Sequence, residues 1–295
     1  MRIGLALLPD VPWAEARHRW RATEEMGFDH AWTYDHLVWG GLPDARWGGA
    51  TPLLAAAAAV TSAITLGTLV SSPNFRHPYQ LFRDAQMLED VSDGRFVLGL
   101  GAGGDVDSRV LGGAPMGVRE RVDRFHEFVE VLTRLREGDR VTTRGRWFST
   151  EEARTVGGLD RTPYLLAANG PRSLRLAARS GDAWVTTGPA GGVSLEEWFA
   201  GLARAAETFT AALHDAGRDP ATVRRYVITD ASPHLSDAGR FALSSVGFFT
   251  DLAGRLGELG FTDLVTHWPR EDTTYVGSVD VLEAVARDVL PGLRG

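Results

Sequence analysis

Apolar and polar positions along the chain repeat one phrase: a stretch with apolar residues at helical spacing, a glycine, one or two polar residues, then a short β-prone run. The first instance starts at Trp13, where Ala16, Trp20, Thr23 and Gly27 follow helical spacing. Gly27 suits a left-handed stop, and 30–34 reads as the strand behind it. Near the other end the phrase returns, with a helix over 248–259, a stop at Gly260 and a strand over 264–267. Gly-Phe-Asp at 27–29 is thus echoed by Gly-Phe-Thr-Asp at 260–263.

Between these, strands are predicted at 3–8, 64–70, 96–101, 164–168, 183–187 and 224–229, which brings the count to eight. Helices are predicted at 51–63, 78–92, 120–135, 173–180, 195–216 and 279–290; the fifth-strand approach, 120–135, carries Val122, Phe125, Val129 and Leu132 on one face. Alternating strand and helix implies parallel strands with crossovers, and eight units close a parallel sheet. The expected fold is therefore α/β, a (β/α)8 TIM barrel forming one domain over 1–295, with a doubly wound open sheet as the alternative. Two stretches break the rhythm. Residues 139–149 read as a hairpin around Arg144 and Gly145, with Val141, Trp147 and Phe148 as strand formers. Residues 231–246 are polar and irregular. The second follows a strand, on the side where barrel loops build a site, and is expected to cover the pocket; the hairpin precedes a strand and is not.

Composition narrows the functional classes. The hydrophobic fraction is 44% and the charged fraction 23%, values of a folded globular chain. A net charge of −7 and a pI near 5.6, with scattered basic residues, argue against nucleic acid as a partner. There is no cysteine, which removes disulfides, thiolate metal sites and a Cys nucleophile. The apolar run at 3–8 is short for a signal peptide, and the longest apolar stretch, 53–60, is far below the roughly 20 residues a bilayer requires. No membrane partner and a cytoplasmic location are expected.

Chemistry in such a barrel belongs just after strand ends. The second strand ends in Asp35-His36, an imidazole beside a carboxylate, suited to hydrogen-bonding a cofactor ring or moving a proton; a turn cap and a satisfied loop histidine are the plain alternative. Gly101, Gly103 and Gly104 follow the fourth strand and let backbone approach a ligand closely. They lack the GxGxxG spacing, and no helix is predicted directly behind them, so a Rossmann fold is not indicated. Asn169, Gly170, Arg172 and Ser173 lie between the fifth strand and a helix, where free N–H groups favour a phosphate; Arg175 adds charge, and an ordinary Asn-Gly turn is the alternative. No HExxH or His-x-His spacing supports a metal site, and no Gly-x-Ser-x-Gly elbow supports a serine hydrolase. Trp32, Trp39, Trp47, Trp184 and Trp268, near strand ends, are candidates to wall an aromatic pocket.

Taken in order, ATEEMGFDHAWTYDHL at 22–37, ITLGTLVSSPNFRHP at 64–78, DGRFVLGLGAG at 93–103 and AANGPRSLRLAARSGDAWVTT at 167–187 resemble the luciferase-like monooxygenase superfamily over nearly the whole chain. The resemblance implies a TIM barrel holding coenzyme F420, or alternatively FMN, at the carboxyl ends of its strands. It also implies a cis non-proline peptide at Leu69-Val70 behind the cofactor ring, with Ser71 beside it. The Asp-His pair is most similar to that of the F420-dependent members, which places His36 near the ring, Asp35 with it, and the AANGPRS segment on the cofactor phosphate. The sugar-phosphate dehydrogenases of that group carry a proton-transferring Glu after the fourth-strand glycines; Gly104 stands there in this chain, followed by Asp105, so that scheme is not implied. The expected activity is hydride transfer between coenzyme F420 and a small organic substrate, by a homodimer. The rivals are an FMN-dependent monooxygenase, a barrel that binds cofactor without turnover, and metal-assisted hydrolysis.

Overall fold

Strand β1 (Arg2–Ala6) lies between β2 (His30–Thr33) and β10 (Asp263–His267), so the first and last strands are hydrogen-bonded neighbours and the sheet has no edge. The computed structural model describes residues 1–156, 162–189, 194–230, 241–272 and 274–293. From β2 the barrel continues through β3 (Thr65–Thr68), β4 (Phe96–Leu100), β7 (Tyr164–Ala167), β8 (Ala183–Thr186) and β9 (Arg224–Ile228) to β10, with every pair parallel. The expected (β/α)8 barrel is the observed one, and the open sheet is excluded by the β1–β10 ladder.

Crossovers are made by α1 (Trp13–Glu25), α2 (Ala50–Ala58), α3 (Pro78–Val91), α5 (Val118–Glu137), α6 (Pro171–Ser180), α7 (Leu195–Asp215) and α8 (Val246–Glu258), while α9 (Val279–Asp288) follows β10. The sequence rhythm has a direct physical basis at its two clearest points. Gly27 and Gly260 take φ of 83° and 81°, a left-handed conformation that glycine adopts without a Cβ penalty. The phenylalanines behind them, Phe28 and Phe261, are buried. On α5 the buried face is Phe125, Phe128, Val129, Val131, Leu132 and Leu135; Val122 is only half-buried.

The hairpin outside the barrel, β5 (Val141–Arg144) with β6 (Ser149–Ala153), is antiparallel and reaches four residues further than the alternation suggested. Thr143 and Thr150 bond across it through both hydroxyl and backbone groups. One short helix was not legible: α4 (Val106–Val110) begins two residues after Gly104, where none was expected. Of the irregular stretch 231–246, residues 231–240 lie outside the described residues; 241–245 form a loop with a 3-10 turn at Ala242–Ser244, and Val246 already opens α8.

Side chains fill the barrel at its amino end. Trp32 donates from Nε1 to His30 Nδ1 at 2.7 Å, and His30 Nε2 stands 3.2 Å from Asp263 Oδ1, all three residues fully buried. Arg2 and Arg224 approach the same carboxylate at 3.9 and 3.5 Å. Neighbouring strands make room for these rings: a Cβ on Gly4 would overlap His30, and one on Gly67 would overlap Trp32. This plugged end leaves the carboxyl ends of the strands as the open face.

Candidate active site

Chain direction decides what reaches that face. β2 runs out into Tyr34, Asp35 and His36, but the neighbouring pair in sequence does not act as a pair in space. The Asp35 side chain is 2% exposed and faces Arg76, which donates from Nη2 to Oδ1 at 2.7 Å and from Nε to Oδ2 at 3.1 Å. Ser71 Oγ adds a third bond to Oδ2 at 2.6 Å. Asp35 thereby ties the end of β2 to the loop after β3, an anchoring role in place of the expected proton transfer.

His36 is held by a different carboxylate. Its Nδ1 lies 2.7 Å from Oδ2 of Asp107 on α4, and Asp107 Oδ1 accepts from the backbone N–H of Leu37 at 2.8 Å. Trp47 Nε1 donates to the His36 carbonyl at 2.8 Å. Burial works to raise the Asp107 carboxyl, but the His36 imidazole and the N–H groups of Leu37 and Val38 outweigh it and hold it below the usual carboxylate range. Asp107 was missed because nothing in GAGGDVDS distinguishes it from its neighbours; only the short helix α4 turns it toward β2.

The loop after β3 contains a cis peptide at Leu69-Val70, the position the resemblance implied. Leu69 is buried, Val70 half-buried, and Ser71 buried with its hydroxyl on Asp35. The glycines after β4 divide into two kinds. A Cβ on Gly101 would meet Val70 Cγ2 at 2.5 Å, and one on Gly103, which takes φ of 65°, would run into Asn74 and Ser72; both are small because the β3 loop packs on them. At Gly104, which is exposed, a Cβ would meet nothing within 4 Å, so of the three only this glycine borders open space. Asn74 fixes the segment by donating to the Gly104 carbonyl at 2.5 Å, and is itself held by Arg124. Asp105 is occupied by Arg121 at 2.9 Å.

Across the mouth, Asn169 bridges strands: its Oδ1 accepts from Thr186 at 2.7 Å and its Nδ2 donates to Thr187 at 3.0 Å. Behind it α6 starts with Gly170 as N-cap and Pro171 at the first position, with no side-chain cap, so the first-turn N–H groups, including that of Ser173, lack a side-chain acceptor. The Arg172 side chain turns to Asp123 at 2.5 Å and away from the start of α6.

A second polar network, also missed, joins β2, β9 and β10. Tyr34 OH lies 2.7 Å from His267 Nε2, and His267 Nδ1 lies 3.0 Å from Asp230 Oδ2. One assignment of protons satisfies the whole chain, with His267 donating to Asp230 and accepting from Tyr34. Burial raises the phenols of Tyr34 and Tyr275, so they stay protonated. Tyr275 stacks on His267 at 3.7 Å, Trp39 stacks on Tyr275 at 5.8 Å, and Trp47 on Trp39 at 6.2 Å, which makes an aromatic wall along one side. Of the candidate tryptophans, Trp39, Trp47 and Trp268 remain half-buried, whereas Trp32 and Trp184 are fully buried core. Among the described residues no group of His, Asp and Glu is arranged to hold a metal.

Residues 1–242 match the family described as luciferase-like monooxygenase. An F420-dependent glucose-6-phosphate dehydrogenase of Beutenbergia cavernae is 30% identical to this chain, covering 92% of it and 90% of the relative. An F420-dependent hydroxymycolic acid dehydrogenase of Mycobacterium tuberculosis is 31% identical over 77% of this chain and 63% of its own length. Among solved structures, an F420-dependent secondary alcohol dehydrogenase in complex with an F420-acetone adduct has a TM-score of 0.83 and covers 100% of this chain and 99% of its own. At 19% identity that likeness is one of fold.

Proposed function

The chain belongs to the luciferase-like monooxygenase family, and from that premise we propose that it is an oxidoreductase transferring a hydride between coenzyme F420 and a small organic substrate. The observation that carries the reading is the imidazole of His36, held at the open end of the barrel on the same face as the space at Gly104 and the uncapped start of α6. Relatives named as F420-dependent support the deazaflavin over FMN.

The deazaflavin, when bound, supplies the acceptor or donor of the hydride. The protein's part is to bind, orient and move a proton. In this reading the N–H groups at Gly170, Arg172 and Ser173 hold the anionic tail, and Asn169 keeps that loop in place. Leu69, Val70 and Ser71 would hold the ring, while Gly101 and Gly103 let the β3 loop pack and Gly104 borders open space that the ring would need. His36 takes a proton from a substrate hydroxyl in oxidation and returns it in reduction. Asp35 serves by anchoring Ser71 and Arg76.

The same proposal includes a homodimer acting in the cytoplasm, built as one barrel unit. Its support is the apolar surface of the early helices, where Trp13, Met87 and Val91 are exposed. No described helix is long and apolar enough to cross a membrane.

The test is titration with coenzyme F420 and FMN separately, followed by tryptophan quenching, then assay of the loaded protein against a panel of alcohols and carbonyl compounds. Selective deazaflavin binding with substrate-dependent bleaching of its visible band is expected. Preference for FMN, or binding without turnover on any substrate, would overturn the assignment.

A further inference from the structure

We infer that Asp107 is the positioning residue of this site, fixing His36 in the tautomer that presents Nε2 as the atom exchanging the substrate's proton. This deepens the hydride-transfer reading and rests on it for the chemistry, though not for the geometry.

The argument starts from what each carboxylate near His36 can do. Asp35, its neighbour in sequence, has both oxygens taken by Arg76 and one also by Ser71. Asp105 is spent on Arg121, and Gly104 has no side chain. Asp107 alone among these reaches the ring, and its own side chain is 1% exposed while that of His36 is 23% exposed. A buried, ionised carboxylate has no proton to give, so the bond at 2.7 Å requires the hydrogen to sit on His36 Nδ1. The neutral imidazole then carries its lone pair on Nε2.

The second oxygen matters as much. By accepting from the Leu37 N–H at 2.8 Å, Asp107 grips the main chain next to the histidine as well as the ring, so ring rotation and loop movement are restrained together. Trp47 holds the His36 carbonyl from the other side. When the substrate alcohol is oxidised, its C–H electron pair leaves as hydride to the cofactor, the C=O bond forms, and the O–H proton goes to Nε2, making an imidazolium that Asp107 stabilises. The reverse reaction returns the proton from the same atom.

Two measurements test this. The ring 15N shifts of His36, identified by comparison with His36→Ala and recorded in the cofactor-free protein at alkaline pH, should show a protonated Nδ1 and a bare Nε2. Asp107→Asn should redistribute that tautomer. In the loaded enzyme, Asp107→Asn should lower kcat at least about tenfold and by as much as about 10⁴-fold, as when an amide favours the wrong tautomer of a base histidine, with KM and cofactor affinity within twofold. His36→Ala combined with Asp107→Asn should be no slower than His36→Ala alone. A wild-type His36 protonated on Nε2, or additive losses in the double variant, overturns the proposal. If the wild type proves not to use the deazaflavin, the functional reading fails, while the 15N result still decides the tautomer on unmodified protein.

Discussion

Replacing Gly101 and Gly104 by alanine, one at a time, separates a glycine required by packing from one required by a ligand. At Gly101 the new methyl would lie 2.5 Å from Val70 Cγ2 and 3.3 Å from Ala167 Cβ. Carbon atoms rest at about 3.5–4.0 Å, so the overlap with Val70 is about 1 Å. Valine is stiff about χ1 and has few ways to yield. Overpacking of this kind costs about 1–3 kcal/mol. For 295 residues the unfolding entropy is roughly 0.6 kcal/mol/K at about 2.1 cal/mol/K per residue, so a loss of about 2 kcal/mol lowers Tm by about 3 °C. At Gly104 the same methyl meets nothing within 4 Å, and Tm should stay within about 1 °C of the parent. That methyl enters the space assigned to the cofactor, so deazaflavin affinity should fall about tenfold, or 1.4 kcal/mol. Scanning calorimetry and fluorescence titration read the two quantities independently. Equal Tm changes in the two variants, or an unchanged Tm for Gly101→Ala, would refute the packing argument.

Three further outcomes follow from the same geometry. Arg76→Met leaves the buried Asp35 carboxylate with Ser71 as its remaining side-chain partner; breaking a buried pair costs about 3–5 kcal/mol, and partial exposure of Arg76 puts this one near 3. A urea-unfolding loss under about 1 kcal/mol would show that the pair does not hold the β3 loop. Tyr34→Phe removes the donor to His267 Nε2, at about 1–3 kcal/mol for a buried group left unpaired; unaltered thermal stability would break the proposed chain of donors. Asp107, whose carboxyl is depressed in the folded state, makes the unfolded chain the better proton binder between its folded pKa and the unfolded value of about 3.9. Its contribution is present above the unfolded value and lost as pH falls through the folded one. Asp107→Asn should therefore flatten the acid limb of stability against pH, and an acid limb identical to the parent's would contradict the assigned hydrogen bonds.

What the sequence determined by itself was the barrel. Strand and helix periods, and glycines such as Gly27 and Gly260, are local signals: each depends on a few residues and on backbone freedom that no distant contact alters. Eight parallel units are the count at which such a sheet closes, and the β1–β10 ladder is the closure that rules out the open sheet. The residues at strand ends were legible for the same reason, since topology assigns them to one face. Which of them cooperate was decided only by the tertiary structure. Asp35 and His36 are adjacent in the chain, yet one bonds to Arg76, 41 positions on, and the other to Asp107, 71 positions on. Asp230, His267, Tyr34 and Tyr275 converge from three strands and a loop with no spacing to mark them. Hydrogen bonds and ion pairs reach only about 3 Å, so a polar partner is whatever the closed barrel brings within that distance, and sequence separation carries no information about it.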